Sequence, residues 1–144
     1  PVLGWFGLRI GCICVERGKR TQAIKSMVAA VNSGNSPAGQ LIIYPQGTRI
    51  APGASAPYKI GTAVLYQETG QTCIPAATNV GVFWPKYGIL RQPGLAVIEF
   101  LPAIQPGLSN ELFMHRLEEV IEQSSNALLE EAATDGFYPV GQDT

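Results

Sequence analysis

The chain has 144 residues, the length of one domain or most of one, and can bury roughly 70% of the surface its unfolded form exposes. With 46% apolar and 15% charged residues it is not a disordered polymer. Its three cysteines lack CxxC spacing, so neither a disulfide framework nor a zinc site is implied, and no run approaches the ~20 apolar residues of a membrane-spanning helix.

The net charge of −1 conceals a sharp division. Residues 1–98 carry nine Lys/Arg against two Glu, a balance of +7, and residues 99–144 carry Arg116 against nine acids, a balance of −8. Either the basic part meets an anion, such as a phosphate, nucleotide, lipid headgroup or nucleic acid, or the acidic part simply solubilises the domain. The pI near 5.8 argues against nucleic acid.

In chain order, Gly11-Cys12-Ile13-Cys14-Val15 reads as a short apolar strand closed by Glu16-Arg17-Gly18. Cys12, Cys14 and Cys73 read as buried thiols that behave as small apolar residues. Thr21 is placed to cap a helix reaching about Asn32, with Ile24, Met27, Val28 and Val31 on one stripe, and Gly34-Asn35-Ser36-Pro37 ends it. Residues 40–44 form a second apolar strand running directly into Pro45-Gln46-Gly47-Thr48-Arg49. A Gly/Pro/Ser/Ala-rich loop over 51–57 precedes a helix from about Tyr58 to Glu68, ended by Gly70. Residues 73–78 and 95–101 are two more runs of strand length. Last comes a long helix whose narrow apolar face holds Leu112, Phe113, Leu117, Val120, Ile121, Ser124 and Leu128, capped by Ser109 or Asn110. This order predicts an α/β domain, with strands apolar throughout that fit a sheet covered on both faces.

In such sheets ligands bind beyond the carboxyl ends of the strands, where Arg17 and Arg49 stand. Gly47 admits close backbone approach, Thr48 adds a hydroxyl, and Lys59 opens the next helix, where free N–H groups favour an anion. Arg17, Arg49 and Lys59 either converge on a phosphate or are solvated surface charges.

Tyr44-Pro45-Gln46-Gly47-Thr48-Arg49 resembles the FPEGTR block of the glycerophospholipid acyltransferase family, and Gly11 through Arg17 resembles its glycine–strand–acid–arginine block. Tyr58-Lys59-Ile60-Gly61 is similar to the lysine–glycine segment that follows, and Ile74-Pro75-Ala76 to the block around a proline. Four segments in the right order make the likeness specific, and within the family it is nearest to bacterial 1-acylglycerol-3-phosphate acyltransferases. The resemblance implies a mixed, largely parallel central sheet flanked by helices. It implies transfer of a fatty acyl group from acyl-CoA or acyl carrier protein to lysophosphatidate, with no metal or prosthetic group. Arg17, Gln46, Gly47, Thr48, Arg49 and Lys59 are the implied acceptor-binding residues, and Pro75 helps shape the donor side. Gln46 replaces the family's glutamate and suits an orienting role better than that of a base.

The family's His-x-x-x-x-Asp block has no counterpart here: the one histidine, His115, falls on the last helix, opposite its apolar face. The expectation is therefore that residues 1–144 are a partial domain whose catalytic dyad lies upstream of Pro1. Other acceptors, namely another lyso-lipid or glycerol 3-phosphate, and a non-catalytic lipid-binding remnant are the alternatives. Trp5-Phe6 and Val82-Phe83-Trp84-Pro85-Lys86-Tyr87 mix aromatic and basic residues as membrane-interface segments do. The resemblance implies a location on the cytoplasmic face of the inner membrane, peripheral or anchored by an upstream segment.

Overall fold

A computed structural model describes residues 41–84 and 91–138, together with the helical residues Ile24, Lys25, Val28 and Ala29. The predicted strand over 11–15, Arg17, Cys12, Cys14, Trp5-Phe6 and Pro85-Lys86-Tyr87 lie outside the described residues. Ile24 and Val28, half-buried on one helical stripe, agree with the first predicted helix.

Helix α1 spans Gly61–Thr69 and buries Thr62, Ala63, Leu65 and Tyr66. It ends where predicted: Gly70 turns left-handed, at φ 58°, and returns its N–H to the Tyr66 carbonyl. Strand β1 (Ala76–Thr78) leads through Asn79 into the single turn α2 (Val80–Phe83), and β2 (Ile98–Phe100) follows. Helix α3 covers Asn110–Thr134. Of the two predicted caps Ser109 is the one used, its hydroxyl accepting the Leu112 N–H at 3.2 Å. At the far end Gly136, at φ 84°, lets Phe137 N–H reach the Ala132 carbonyl and Gly136 N–H reach that of Ala133, a Schellman closure.

The described residues show a mixed α and β structure with one two-stranded sheet. Among the described residues β1 and β2 pair antiparallel, with Ala76 opposite Phe100, Ala77 opposite Glu99 and Thr78 opposite Ile98. Only Ala77 of these is buried, so one face meets α3 and the other is open, the ordinary habit of antiparallel strands. An apolar run does not by itself distinguish the two pairings. Residues 41–44 do not form a strand and are exposed, Ile42 at 73% and Tyr44 at 78%; a run of apolar side chains becomes a strand only where a partner takes up its N–H and C=O groups. The predicted strand over 73–78 is interrupted by Pro75, which has no N–H to give a ladder. Cys73 and Ile104 still exchange backbone bonds of 3.0 and 2.8 Å, and the Pro75 carbonyl accepts from Leu101 at 2.9 Å.

Helix α3 is the spine. Phe113 and Leu117 pack with Ala63, Tyr66 and Ile104; Leu128 packs with Ala77 and Leu101; Ala132 packs with Val82 and Phe83. Of the predicted apolar face, Leu112 is left 54% exposed, while Ala132, one turn beyond Leu128, is buried. Asn79, 3% exposed, joins β1 to the segment before β2: its side-chain oxygen accepts from Val97 N–H at 2.7 Å and its amide donates to the Leu95 carbonyl at 3.4 Å. Phe113→Ala is expected to destabilise the protein by about 3–5 kcal/mol, read as a fall in urea midpoint at constant m-value.

Candidate functional site

The backbone of the glycine turn is built from local rules. Pro45 pre-sets the φ of a β-turn's second position, and the Gly47 N–H closes the turn on the Tyr44 carbonyl at 2.9 Å. Gly47 continues at φ 69°, a conformation that costs a side-chain-bearing residue about 1–2 kcal/mol.

A single long-range bond then brings the next helix to this turn. Lys59 N–H donates to the Pro45 carbonyl at 2.7 Å. The stem of Lys59 consequently lies over the turn, and a Cβ placed on Gly47 would be 3.6 Å from Lys59 Cγ. The Lys59 carbonyl accepts from Thr62 N–H at 3.1 Å and so opens α1. No side chain caps that end of α1 and no acid lies in its first turn, so its partial positive charge adds to the Lys59 ammonium.

The structure thus brings Gln46, Gly47 and Lys59 together, with Gln46 half-buried. Thr48 and Arg49 continue from the turn as exposed residues, and Arg17 lies outside the described residues. Lys59, itself exposed, and the uncapped start of α1 thus stand beside the Gly47 turn.

Tyr58 is the residue that sequence reasoning passed over. Half-buried just before Lys59, it donates its hydroxyl to Glu122 Oε1 at 2.9 Å, across 64 positions. Its pKa is raised well above the usual phenol range by burial first, then by the bond to Glu122 and the charges of Glu122 and Glu118. The hydroxyl therefore keeps its proton. No periodicity connects positions 58 and 122.

Other chemistry-bearing groups stand apart. His115 has a side chain 77% exposed, with Nδ1 3.9 Å from Glu119 Oε2 on the same helix, the exposed helix position expected of it. The half-buried Cys73 thiol is pushed up by burial, away from nucleophilic thiolate character. Among the described residues no group of three or more His, Cys, Asp or Glu is placed to hold a metal, and no helix is long and apolar enough to cross a membrane. A shallow cleft near the C-terminal end of α3, lined by Asn79, Phe83, Leu95, Val97, Glu131 and Asp135, offers carboxylates and no cation.

A family model described as Acyltransferase matches residues 1–79, more than half of the chain and including both the Gly47 turn and Lys59. A 1-acyl-sn-glycerol-3-phosphate acyltransferase of Pseudomonas aeruginosa is 28% identical over 104 residues, which is 72% of this chain and 40% of that protein. A protein of the same name from Saccharomyces cerevisiae is 24% identical over 148 residues, taking in the whole chain and 48% of the relative. The chain therefore spans less than half the length of these curated relatives. No solved structure matches it significantly.

If the left-handed turn is the main demand at position 47, Gly47→Ala is expected to cost about 1–2 kcal/mol and Gly47→Asn less, because asparagine tolerates that region. Paired urea unfolding curves measure the difference.

Proposed function

The chain belongs to the acyltransferase family, and on that premise we propose that it is the acceptor-binding part of an enzyme that acylates 1-acyl-sn-glycerol 3-phosphate to phosphatidate. The observation that carries this reading is Lys59, held over the Gly47 turn at the uncapped start of α1. The names of both curated relatives point to the same acceptor.

In this reading the acceptor's phosphate sits at the turn, where Lys59, Arg49 and Arg17 neutralise it and the first-turn amides of α1 add partial charge. Thr48 meets a phosphate or glycerol oxygen, and Gln46 orients Arg49 or a hydroxyl without acting as a base. The acceptor's free hydroxyl attacks the carbonyl carbon of the donor thioester, supplied by acyl-CoA or acyl carrier protein. Its proton goes to a catalytic base, by resemblance the histidine of the family's His-x-x-x-x-Asp pair, and then to the departing thiolate. Exposed His115 takes no part.

β1 and β2 are assigned to one side of a larger, mixed and largely parallel sheet. Their open face, with Ile98 and Phe100 60% and 76% exposed, fits burial under a further layer of such a domain. Membrane contact is assigned to the neighbourhood of Trp84, which is exposed and carries the Arg91 guanidinium 4.2 Å from its ring centroid, as interfacial aromatic–cation pairs do. With soluble thioester donors, that contact belongs on the cytoplasmic face of the inner membrane.

In the full-length protein, Lys59→Ala and Arg49→Ala are each expected to raise the KM for lysophosphatidate at least about tenfold, the loss of one charge-assisted bond, with a smaller change for the donor. Acylation assays with competing lyso-lipids and glycerol 3-phosphate test the acceptor at the same time; a preference for another acceptor would replace lysophosphatidate in this assignment. Trp84→Ala is expected to weaken cosedimentation with anionic liposomes, and undiminished binding would remove the membrane assignment.

A further inference from the structure

Residues 58 and 59 tie three parts of the molecule together. The Tyr58 ring packs against the cluster containing Tyr66 and Phe113, and its hydroxyl donates to Glu122 on α3 at 2.9 Å. The next residue gives its N–H to Pro45 of the turn at 2.7 Å and its carbonyl to Thr62 of α1 at 3.1 Å. A displacement of the Tyr58 side chain is therefore passed through one peptide unit to the backbone of Lys59.

We infer that the Tyr58–Glu122 hydrogen bond is a positioning device that sets where the Lys59 ammonium stands over the Gly47 turn. The inference rests on the phosphate-binding reading of that turn. Lys59 is exposed, and a lysine stem is flexible, so its aim depends on where its backbone is anchored. The Tyr58 hydroxyl gives the Glu122 carboxylate a neutral donor. Burial and the two neighbouring carboxylates keep the phenol protonated, so the donor persists.

The test uses the full-length enzyme with lysophosphatidate as acceptor. Tyr58→Phe keeps the ring and its packing and removes only the hydroxyl; it is expected to raise the acceptor KM about fivefold, less than the roughly tenfold or more of a directly lost charge-assisted bond because it acts through Lys59, and to leave the donor KM within about twofold. Glu122→Ala should do the same, and the double variant should be no worse than either single change. Glu122→Gln, which keeps an acceptor oxygen, should restore the wild-type KM. An unchanged acceptor KM in Tyr58→Phe, additive effects in the double variant, or acceptor and donor KM rising together would overturn the positioning role. With Lys59→Ala as control, a raised acceptor KM there and none in Tyr58→Phe removes this inference alone. No change in Lys59→Ala removes the phosphate reading along with it.

Discussion

Tyr66 stacked on Phe113, with ring centroids 3.9 Å apart and planes 8° from parallel, is the contact on which the described structure depends. Aromatic pairs of this kind contribute about 0.5–1.5 kcal/mol beyond the area they bury, and here the polar end of the pair is also used. The Tyr66 hydroxyl donates to the Gln105 carbonyl at 2.6 Å and accepts from Leu108 N–H at 3.1 Å. One side chain thereby fixes α1 against α3 and holds the backbone that leads into α3. Because α1 begins beside Lys59, the same stack determines where the turn-binding end of that helix lies.

Around this anchor the site is held mainly by backbone bonds and the charges are hung on afterwards. The glycine turn closes on itself, Lys59 joins it through a main-chain donor, and Tyr58 reaches α3 by its side chain. Main-chain anchoring suits an anion site. A cation held by its own side-chain ion pair has already spent its charge, whereas one anchored through N–H and C=O keeps it for a ligand. Among the described residues Arg49 and Lys59 stand at or beside the turn, Glu118 and Glu122 on α3, and the phenol of Tyr58 is bonded to Glu122.

The same economy is visible at the β1–β2 return. Asn79 is buried but has both ends of its amide engaged, and Thr78 accepts the Val80 N–H while donating to Val97. Behind them Gly94 lies so close to Phe83 that a Cβ there would be 2.1 Å from the ring. The described ends of the connection between the two strands are thus fastened by polar bonds and a close packing contact.

What the amino-acid sequence determined by itself is local or carried by short motifs. Pro45 and Gly47 dictate a turn, Ser109 or Asn110 starts the long helix, Gly70 ends α1, and the blocks around Arg17, Gly47 and Lys59 point to the acyltransferase family, because each depends on residues a few positions apart. Only the tertiary structure decided the antiparallel pairing, the exposure of residues 41–44 and of Leu112, the burial of Ala132, and the roles of Asn79 and Tyr58. These depend on which distant segment arrives as a neighbour. An apolar run has no orientation of its own, and a tyrosine 64 positions from its glutamate leaves no periodic trace. The glycine turn was therefore legible from its residues, while its tie to α3 through Tyr58 became visible only in three dimensions.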